Sequence, residues 1–258
     1  MKINGLQKLT LLDYPGQIAC TVFLGGCNMR CPFCHNGALA EDRGEQKIEV
    51  SELLAFLDGR VGRLQGVCIS GGEPTIHKDL PELIREVKSR GFLVKLDTNG
   101  TNPEMLSSLI DEGLLDYVAM DIKNSPERYA ETAGLNTERR IQNAELAFPA
   151  GEGGSCRLTD EVTFNSKIDI IDKIRLSAEI LMGSKLDFEF RTTLVRELHS
   201  AKDIISIGKW LAGSEKYFLQ TYRDEGDLLV GGFSAFSGEE TKEILEILRE
   251  YIPNAEIR

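Results

Sequence analysis

Short β-branched runs alternate along this chain with segments of helical period, and this alternation most constrains the fold. Six strand candidates cover residues 18–24, 66–70, 93–99, 117–123, 187–195 and 216–222. Apolar residues three and four positions apart lie between them, which indicates amphipathic helices. Such alternation predicts βαβ units and a parallel sheet, which right-handed crossovers curve into a doubly wound sheet or a barrel. A closed (β/α)8 barrel needs two more repeats, so we predict an α/β fold built as a partial (β/α)6 barrel.

Two segments interrupt this rhythm. Residues 1–17 predict a short β-hairpin or extension ahead of the first core strand, and residues 124–166 form a long connection that is polar and glycine-rich at its centre. Long irregular segments inside compact folds are often binding loops or disordered. We therefore predict one domain over residues 1–258 with an irregular insertion around 124–166. The sequence assigns no purpose to 143–166.

Charge and hydropathy narrow the classes of partner. The chain has 30 basic and 41 acidic residues, a net charge of −11. This balance disfavours general binding to nucleic acid or to anionic membranes, which depends on Lys and Arg contacts to phosphates. No apolar run reaches the roughly 20 residues that span a bilayer. The first residues lack a signal-peptide pattern, so we expect a cytoplasmic protein.

Three cysteines lie within eight positions, in a C-x3-C-x2-C motif formed by Cys27, Cys31 and Cys34. Thiolates select zinc, copper(I) or iron–sulfur clusters. Structural zinc is usually bound by four closed ligands, and His35 could complete a Cys3His site. A histidine directly after a ligand would need an awkward turn to join the same tetrahedron.

A fourth thiolate ligand is not evident. Cys20 and Cys68 lie in apolar strand candidates and are interpreted as buried small hydrophobic residues, whereas Cys156 is interpreted as a loop thiol. An ordinary electron-carrier cluster needs four cysteines. A four-iron cluster with three protein thiolates leaves one iron open, and that iron could bind a substrate or cofactor through nitrogen and oxygen.

Polar residues cluster where the strand candidates end. In parallel α/β folds the carboxyl ends of the strands meet at one edge, where sites form. We therefore expect a single rim that gathers "GGEP" (71–74), "DTNG" (97–100), "MDIK" (120–123), "FRTT" (190–193) and "LQTYRDEG" (219–226).

These motifs carry a family resemblance. C-x3-C-x2-C with Phe33 before the third cysteine resembles the radical S-adenosylmethionine (SAM) superfamily, and "GGEP" resembles its methionine-binding motif. "CHNG", "DTNG", "DIK" and Arg191 resemble the glycyl-radical-enzyme activating enzymes. "GLQKLTLLDYPGQIACTVFLGGCNMRCPFCHN" and "EFRTTLV" are most similar to the anaerobic ribonucleoside-triphosphate reductase activating proteins. The resemblance covers roughly residues 4–123 and 168–223.

The resemblance implies that the three cysteines ligate a [4Fe–4S] cluster and that SAM binds beside it. It implies that Phe33 packs against the adenine, although Phe33 could instead be loop core. Gly71 and Gly72 would permit close backbone approach and unusual φ. Glu73 would accept a hydrogen bond from the methionine ammonium, and Pro74 would fix the exit from the strand. The alternative for "SGGEP" is a simple turn.

By the same resemblance, Asp97 and Asn99 approach the cofactor, with an Asx turn as the alternative for Asn99. Asp121 and Lys123 would lie near the methionine carboxylate and the ribose. Some relatives place a monovalent cation near the positions of Asp97 and Asp121, and this possibility extends to the present chain.

Three further residues receive roles in this way. Arg191 would bind the cofactor carboxylate, or else form an internal salt bridge with Glu189 or Asp121. Asn36 would bond the ribose or shape its loop. Pyruvate formate-lyase activating enzymes carry a histidine after the sixth strand that contacts the ribose. This chain has none there, and Gln220 or Arg223 could substitute.

The implied activity is reductive cleavage of SAM to methionine and a 5′-deoxyadenosyl radical. The radical would abstract hydrogen from a backbone glycine of a partner, expected to be anaerobic ribonucleotide reductase. A flavodoxin or ferredoxin-type protein would donate the electron. Two alternatives stay open: radical chemistry on a small molecule or a peptide, and a non-enzymatic zinc or electron-transfer module.

Overall fold

A computed structural model describes residues 1, 3–41, 48–135, 160–224 and 229–258, with side chains from residue 170 onward in the helix that begins at Asp160. Eight strands form one sheet in chain order. They are β1 (Ile3–Thr10), β2 (Ala19–Leu24), β3 (Gly66–Gly71), β4 (Leu93–Thr98), β5 (Tyr117–Asp121), β6 (Asp187–Leu194), β7 (Tyr217–Thr221) and β8 (Ala255–Ile257).

The helices connect successive parallel strands. Those of the described residues are α1 (Gly37–Ala40), α2 (Val50–Asp58), α3 (Leu80–Ser89), α4 (Pro103–Asp111), α5 (Tyr129–Thr132), α6 (Asp160–Gly183), α7 (Ala201–Trp210) and α8 (Gly238–Arg249), with a 3-10 helix at Pro74–Ile76. Strands β2 to β8 pair in parallel, and β1 pairs antiparallel with β2. The predicted α/β fold with a parallel, partial-barrel sheet is confirmed.

The predicted strands agree with the structure to within two residues at either end. Two features differ. Residues 3–10 form one strand that pairs antiparallel with β2, so of the two alternatives for 1–17 the extension is formed and a hairpin within 1–17 is not. Strand β8 was missed because its three residues are too few to show a period.

The predicted irregular insertion is described only at its ends. It contains α5, and α6 begins at Asp160, before residue 166 where the insertion was expected to end. Residues 136–159, and with them Cys156, lie outside the described residues. The insertion and the role of 143–166 stay predictions.

The two faces of the sheet differ in chemistry. On β4, Val94 and Leu96 are fully buried in the apolar core that also contains Leu83 and Val87 of α3. Alternate residues of a strand point to opposite faces, so Lys95 and Asp97 lie on the inner face. The inner face therefore carries polar groups toward the carboxyl ends of the strands.

In the part of the chain that the structure describes, no helix has the length and apolarity to span a bilayer.

Candidate functional site

A cavity of about 240 Å³ lies where the parallel strands end. It brings together residues from the loop after β2 and from the ends of β3, β4, β5, β6 and β7. The predicted site residues that line it are Cys27, Cys31, Phe33, Cys34, Asn36, Gly71, Gly72, Glu73, Asp97, Asn99, Asp121, Lys123, Arg191 and Gln220. Pro74 is not part of this lining; it is buried at the start of the 3-10 helix.

The cysteine loop is fixed by backbone hydrogen bonds. The Cys27 N–H donates to the Ala40 carbonyl at 3.1 Å, and the Arg30 N–H donates to the Ala133 carbonyl at 3.0 Å. The Arg30 guanidinium donates to the Cys27 carbonyl at 2.5 Å. Burial raises the pKa of Cys27 to about 11 and that of Cys31 to about 12. These thiols are therefore protonated at neutral pH in the absence of metal, and metal binding must release protons.

His35 is held away from the thiols. Its ring stacks on Tyr222 with 5.6 Å between ring centroids, and its Nε2 lies 2.6 Å from the Arg223 carbonyl oxygen. Among the described residues, no three His, Cys, Asp or Glu side chains are placed to hold a single metal ion. In this arrangement His35 does not join the three thiols as a fourth ligand.

The "SGGEP" turn docks on the chain that leads into the cysteine loop. The Gly72 N–H donates to the Leu24 carbonyl and the Glu73 N–H to the Gly26 carbonyl, both at 2.8 Å. Gly71 has φ +116°, in the region that favours glycine. A Cβ on Gly72 would lie 1.9 Å from the Gly26 carbonyl oxygen. The predicted close backbone approach is present, and its partner is the chain's own backbone.

Glu73 ties this turn to the end of β4. Its side chain is 1% exposed and accepts four hydrogen bonds, from the Thr75 N–H (3.1 Å), the Thr75 hydroxyl (2.6 Å), the Thr98 hydroxyl (2.8 Å) and the Asn99 N–H (2.6 Å). Burial raises the pKa of Glu73 against the effect of these donors. Within the described residues Oε2 accepts just the bond from Asn99, so it keeps acceptor capacity for a ligand.

A ring of hydrogen bonds joins the cysteine loop to the end of β4. Asn99 Nδ2 donates to Asn28 Oδ1 at 2.9 Å, Asn28 Nδ2 donates to Thr101 Oγ1 at 2.7 Å, and Thr101 Oγ1 donates to Asn99 Oδ1 at 2.7 Å. The Thr101 N–H also donates to Asn99 Oδ1, so the Asx turn considered as the alternative for Asn99 is present. Asn99 Nδ2 and the Met29 N–H lie 3.9 and 3.4 Å from the Cys27 sulfur.

Charged side chains form the floor of the cavity. Arg191 Nε lies 2.9 Å from Asp121 Oδ1, and Lys123 Nζ lies 3.0 Å from Asp121 Oδ2. Burial alone would raise the pKa of Asp121, but Arg191 and Lys123 outweigh it and lower that pKa well below its usual range. The internal salt bridge weighed for Arg191 is therefore made with Asp121. Glu189 instead accepts from the Tyr117 hydroxyl and pairs with Arg258.

The remaining predicted contacts are polar groups on the cavity wall. Asn36 Nδ2 donates to the Gly71 carbonyl at 3.4 Å, and Gln220 Oε1 accepts from the Thr193 hydroxyl at 3.5 Å. Phe33 is 4% exposed and lines the cavity. The cofactor contacts assigned to these residues stay predictions.

Six further residues of the lining were not individually assigned to the cofactor site from the sequence, although Thr98 and Thr193 lie in the segments predicted to form the rim: Met29, His35, Ala40, Ser70, Thr98 and Thr193. The strand period could have found Thr193, which lies two positions after Arg191 and so shares its face. Met29, inside the cysteine loop, has no such signal.

The lowered pKa of Asp121 predicts an acid dependence of stability. A depressed pKa stabilises the fold above the unfolded-state value, near 3.9 for Asp, and this stability is lost as pH falls below it. We expect the free energy of unfolding of the wild-type apoprotein to fall from about pH 5 downward, most steeply below about pH 4. With Asp121→Asn the fall should be shallower by up to about 1.4 kcal/mol per pH unit.

Anaerobic urea denaturation across this pH range measures the two slopes. Asp187→Asn is the control, because Asp187 is 73% exposed and pairs with Lys216 at the surface. Equal slopes in wild-type and Asp121→Asn protein would contradict the assigned coupling to Arg191 and Lys123.

Comparison with known proteins adds independent observations. The family model for the Radical SAM superfamily matches residues 21–158. A Methanocaldococcus jannaschii protein named "Putative glycyl-radical enzyme activating enzyme" is 32% identical over 99% of this chain and 95% of its own length. A Pyrococcus furiosus protein named "Tungsten-containing aldehyde ferredoxin oxidoreductase cofactor-modifying protein" is 35% identical over 37% of this chain and 28% of its own length.

Solved structures share the fold. The crystal structure of Streptococcus suis SuiB bound to S-adenosylmethionine aligns with a TM-score of 0.57 at 13% sequence identity, covering 92% of this chain and 51% of that chain. This similarity concerns the arrangement of strands and helices alone.

Proposed function

The chain belongs to the radical SAM superfamily, and from this premise we propose that it is an activase that generates a glycyl radical on a partner enzyme. The observation that carries the proposal is the 32% identity, along 99% of the chain, to the protein named "Putative glycyl-radical enzyme activating enzyme". The Pyrococcus furiosus cofactor-modifying protein matches only 37% of the chain.

The residues present fit the cofactors that the superfamily implies. Cys27, Cys31 and Cys34 reach one cavity from a loop fixed at both ends, and two N–H donors point at the Cys27 sulfur. Hydrogen bonds to a ligating sulfur stabilise the thiolate and orient it. We propose that these three thiolates hold a [4Fe–4S] cluster. When bound, the cluster and SAM supply the radical chemistry.

The cavity floor suits the carboxylate of a methionine moiety. Three cations, Lys95, Lys123 and Arg191, face two carboxylates, Asp97 and Asp121. With Glu73 set aside for the methionine ammonium, and with Lys95 counted through its ion pair to Asp97, these five groups carry one excess positive charge, which favours an anionic group at short range. We assign the methionine carboxylate to Lys123 and Arg191, because both line the cavity.

The other contacts follow from the chemistry of the wall. Glu73 Oε2 retains acceptor capacity for the methionine ammonium, a charge-assisted hydrogen bond. Phe33 offers an apolar face for the adenine. The amides of Asn36 and Gln220 can bond ribose hydroxyls, and Gln220 is our candidate for the position of the missing histidine. These residues orient the cofactor and exclude water from it.

The substrate we propose is a glycine Cα–H on a loop that a partner enzyme inserts at this rim. Anaerobic ribonucleotide reductase is the proposed partner, because the segments 5–36 and 189–195 resemble its activating proteins. A flavodoxin or ferredoxin-type protein is the proposed electron donor.

The test combines the anaerobically reconstituted protein, SAM and dithionite with a purified anaerobic ribonucleotide reductase and, in parallel, with other glycyl radical proteins. We expect 5′-deoxyadenosine, an organic radical signal by electron paramagnetic resonance, and cleavage of the partner at one glycine after exposure to oxygen. A partner with that glycine replaced by alanine is the control. If 5′-deoxyadenosine forms but no partner gains a radical, the small-molecule or peptide alternative is favoured.

A further inference from the structure

Lys95 is a buried cation on the inner face of the sheet. Its side chain is 2% exposed, and its Nζ forms an ion pair with Asp97 Oδ1 and lies 3.9 Å from the Cys68 sulfur. A lysine this buried is rare unless it is paired. The strand period places Lys95 on the face of Asp97, two positions later, but Lys95 was not among the residues predicted to form the site.

Lys95 is one of three side chains of the protein that contact the Asp97 carboxylate. Asp97 Oδ2 accepts from the Ser70 hydroxyl at 2.9 Å, and Arg191 lies 3.6 Å from Oδ1. Arg191 and Lys123 occupy both oxygens of Asp121. Each oxygen of the two carboxylates thus has a partner from the protein.

Two carboxylates on neighbouring strands cannot both stay ionised in a buried site without nearby cations. Lys123 and Arg191 alone would bring the group to neutrality. Lys95 adds one positive charge, which is the charge that a bound monovalent metal ion would add. The lysine and such an ion would add the same net charge beside Asp97.

We propose that Lys95 is a built-in cation that takes the place of a monovalent metal ion beside Asp97 and Asp121, and so makes SAM binding independent of Na⁺ and K⁺. Lys95 acts as a positioning residue, since it holds Asp97, which in turn faces Arg191. The proposal concerns the electrostatics of the cavity floor and does not depend on which substrate the enzyme acts on.

The proposal predicts how the cation of the salt changes SAM affinity in the wild type and in each variant. SAM affinity is measured by equilibrium binding to the reconstituted protein, and melting temperature is measured on the apoprotein. Both are compared in potassium, sodium and tetramethylammonium chloride at equal ionic strength. Wild-type affinity should change less than about twofold among the salts, because Lys95 already supplies the charge.

Lys95→Ala removes the charge and leaves space for an ion. In tetramethylammonium chloride its SAM affinity should fall about tenfold, the equivalent of about 1.4 kcal/mol. Potassium or sodium should restore the affinity and raise the melting temperature of the apoprotein, as expected for an ion that binds the folded state.

Lys95→Met is the matched control, since it removes the charge but keeps the side-chain volume; its affinity should fall without rescue by either metal ion. Lys216→Met, at a half-exposed surface lysine, should match the wild type in every salt. A wild-type protein that needs potassium or sodium for full affinity would overturn the proposal. So would a folded Lys95→Ala protein with undiminished affinity in tetramethylammonium. If Lys95→Ala does not fold in any salt, the SAM affinity of the wild-type protein in the three salts decides: equal affinity supports the proposal, and dependence on potassium or sodium overturns it.

Discussion

Replacing Cys31 by alanine is expected to abolish iron–sulfur assembly and, with it, the cleavage of SAM. Cys31 is buried at the cavity, and the loop that carries it is bonded to Ala133 through the Arg30 N–H. No other cysteine of the described residues lines the cavity besides Cys27 and Cys34. Mutation of residues that only hydrogen-bond to metal ligands typically lowers metal affinity or activity 10–100-fold. Loss of a ligand itself should therefore lower 5′-deoxyadenosine formation by more than about 100-fold.

Iron content, visible absorbance and anaerobic 5′-deoxyadenosine formation measure this effect. Cys20→Ala is the matched control, because Cys20 is fully buried in β2 and belongs to the apolar core. That variant should lose about 1 kcal/mol of stability but keep its iron. Retention of a full cluster in Cys31→Ala protein would show that Cys31 is not a ligand.

Replacing Gly72 by alanine is expected to displace the cysteine loop from the cavity. The added Cβ would lie 1.9 Å from the Gly26 carbonyl oxygen and 2.6 Å from its carbon. These are backbone atoms, so no side-chain rotation can relieve the clash. Because overpacking typically costs 1–3 kcal/mol and backbone has little room to move, we expect a loss of about 3 kcal/mol or more.

The clash should also break the hydrogen bond from the Glu73 N–H to the Gly26 carbonyl, one residue before Cys27. We therefore expect Gly72→Ala to show reduced iron content and reduced SAM affinity, measured after anaerobic reconstitution. Gly238→Ala is the matched control, since a Cβ there meets nothing within 4 Å and lies in the first turn of α8. Equal iron content in the two variants would contradict the docking of the turn on the loop.

Much of this site could be predicted because its residues fall at the ends of strands with clear periods. The parallel sheet brings Glu73, Asp97, Asp121 and Arg191 to one rim, although they lie far apart along the chain. Their residue types and the spacing of the cysteines supplied the remaining signal.

The interactions among these residues could not be predicted from the pattern. Sequence reasoning gave Asn99 a cofactor contact or an Asx turn, but its ring with Asn28 and Thr101 joins two loops whose approach depends on the folded sheet. Likewise, the four donors to Glu73 come from its own turn and from the neighbouring strand.

Lys95 shows the same limit more sharply. In the sequence it is one polar residue within "LVKLDTN", and a strand at a surface would place it in solvent. In the structure its side chain is 2% exposed, because residues 95 and 97 lie on the inner face of the sheet. The need for glycine at position 134 could not be predicted from the sequence either. A Cβ there would lie 1.9 Å from the Arg30 carbonyl oxygen, and the two segments are about a hundred residues apart along the chain.

The most direct test of the account is Mössbauer spectroscopy of the anaerobically reconstituted, iron-57-labelled protein with and without SAM. We expect four irons per chain, of which three are insensitive to SAM and one changes its isomer shift when SAM is added. A spectrum in which all four irons have the same thiolate environment and ignore the nucleotide would contradict the account, as would a protein that binds no iron.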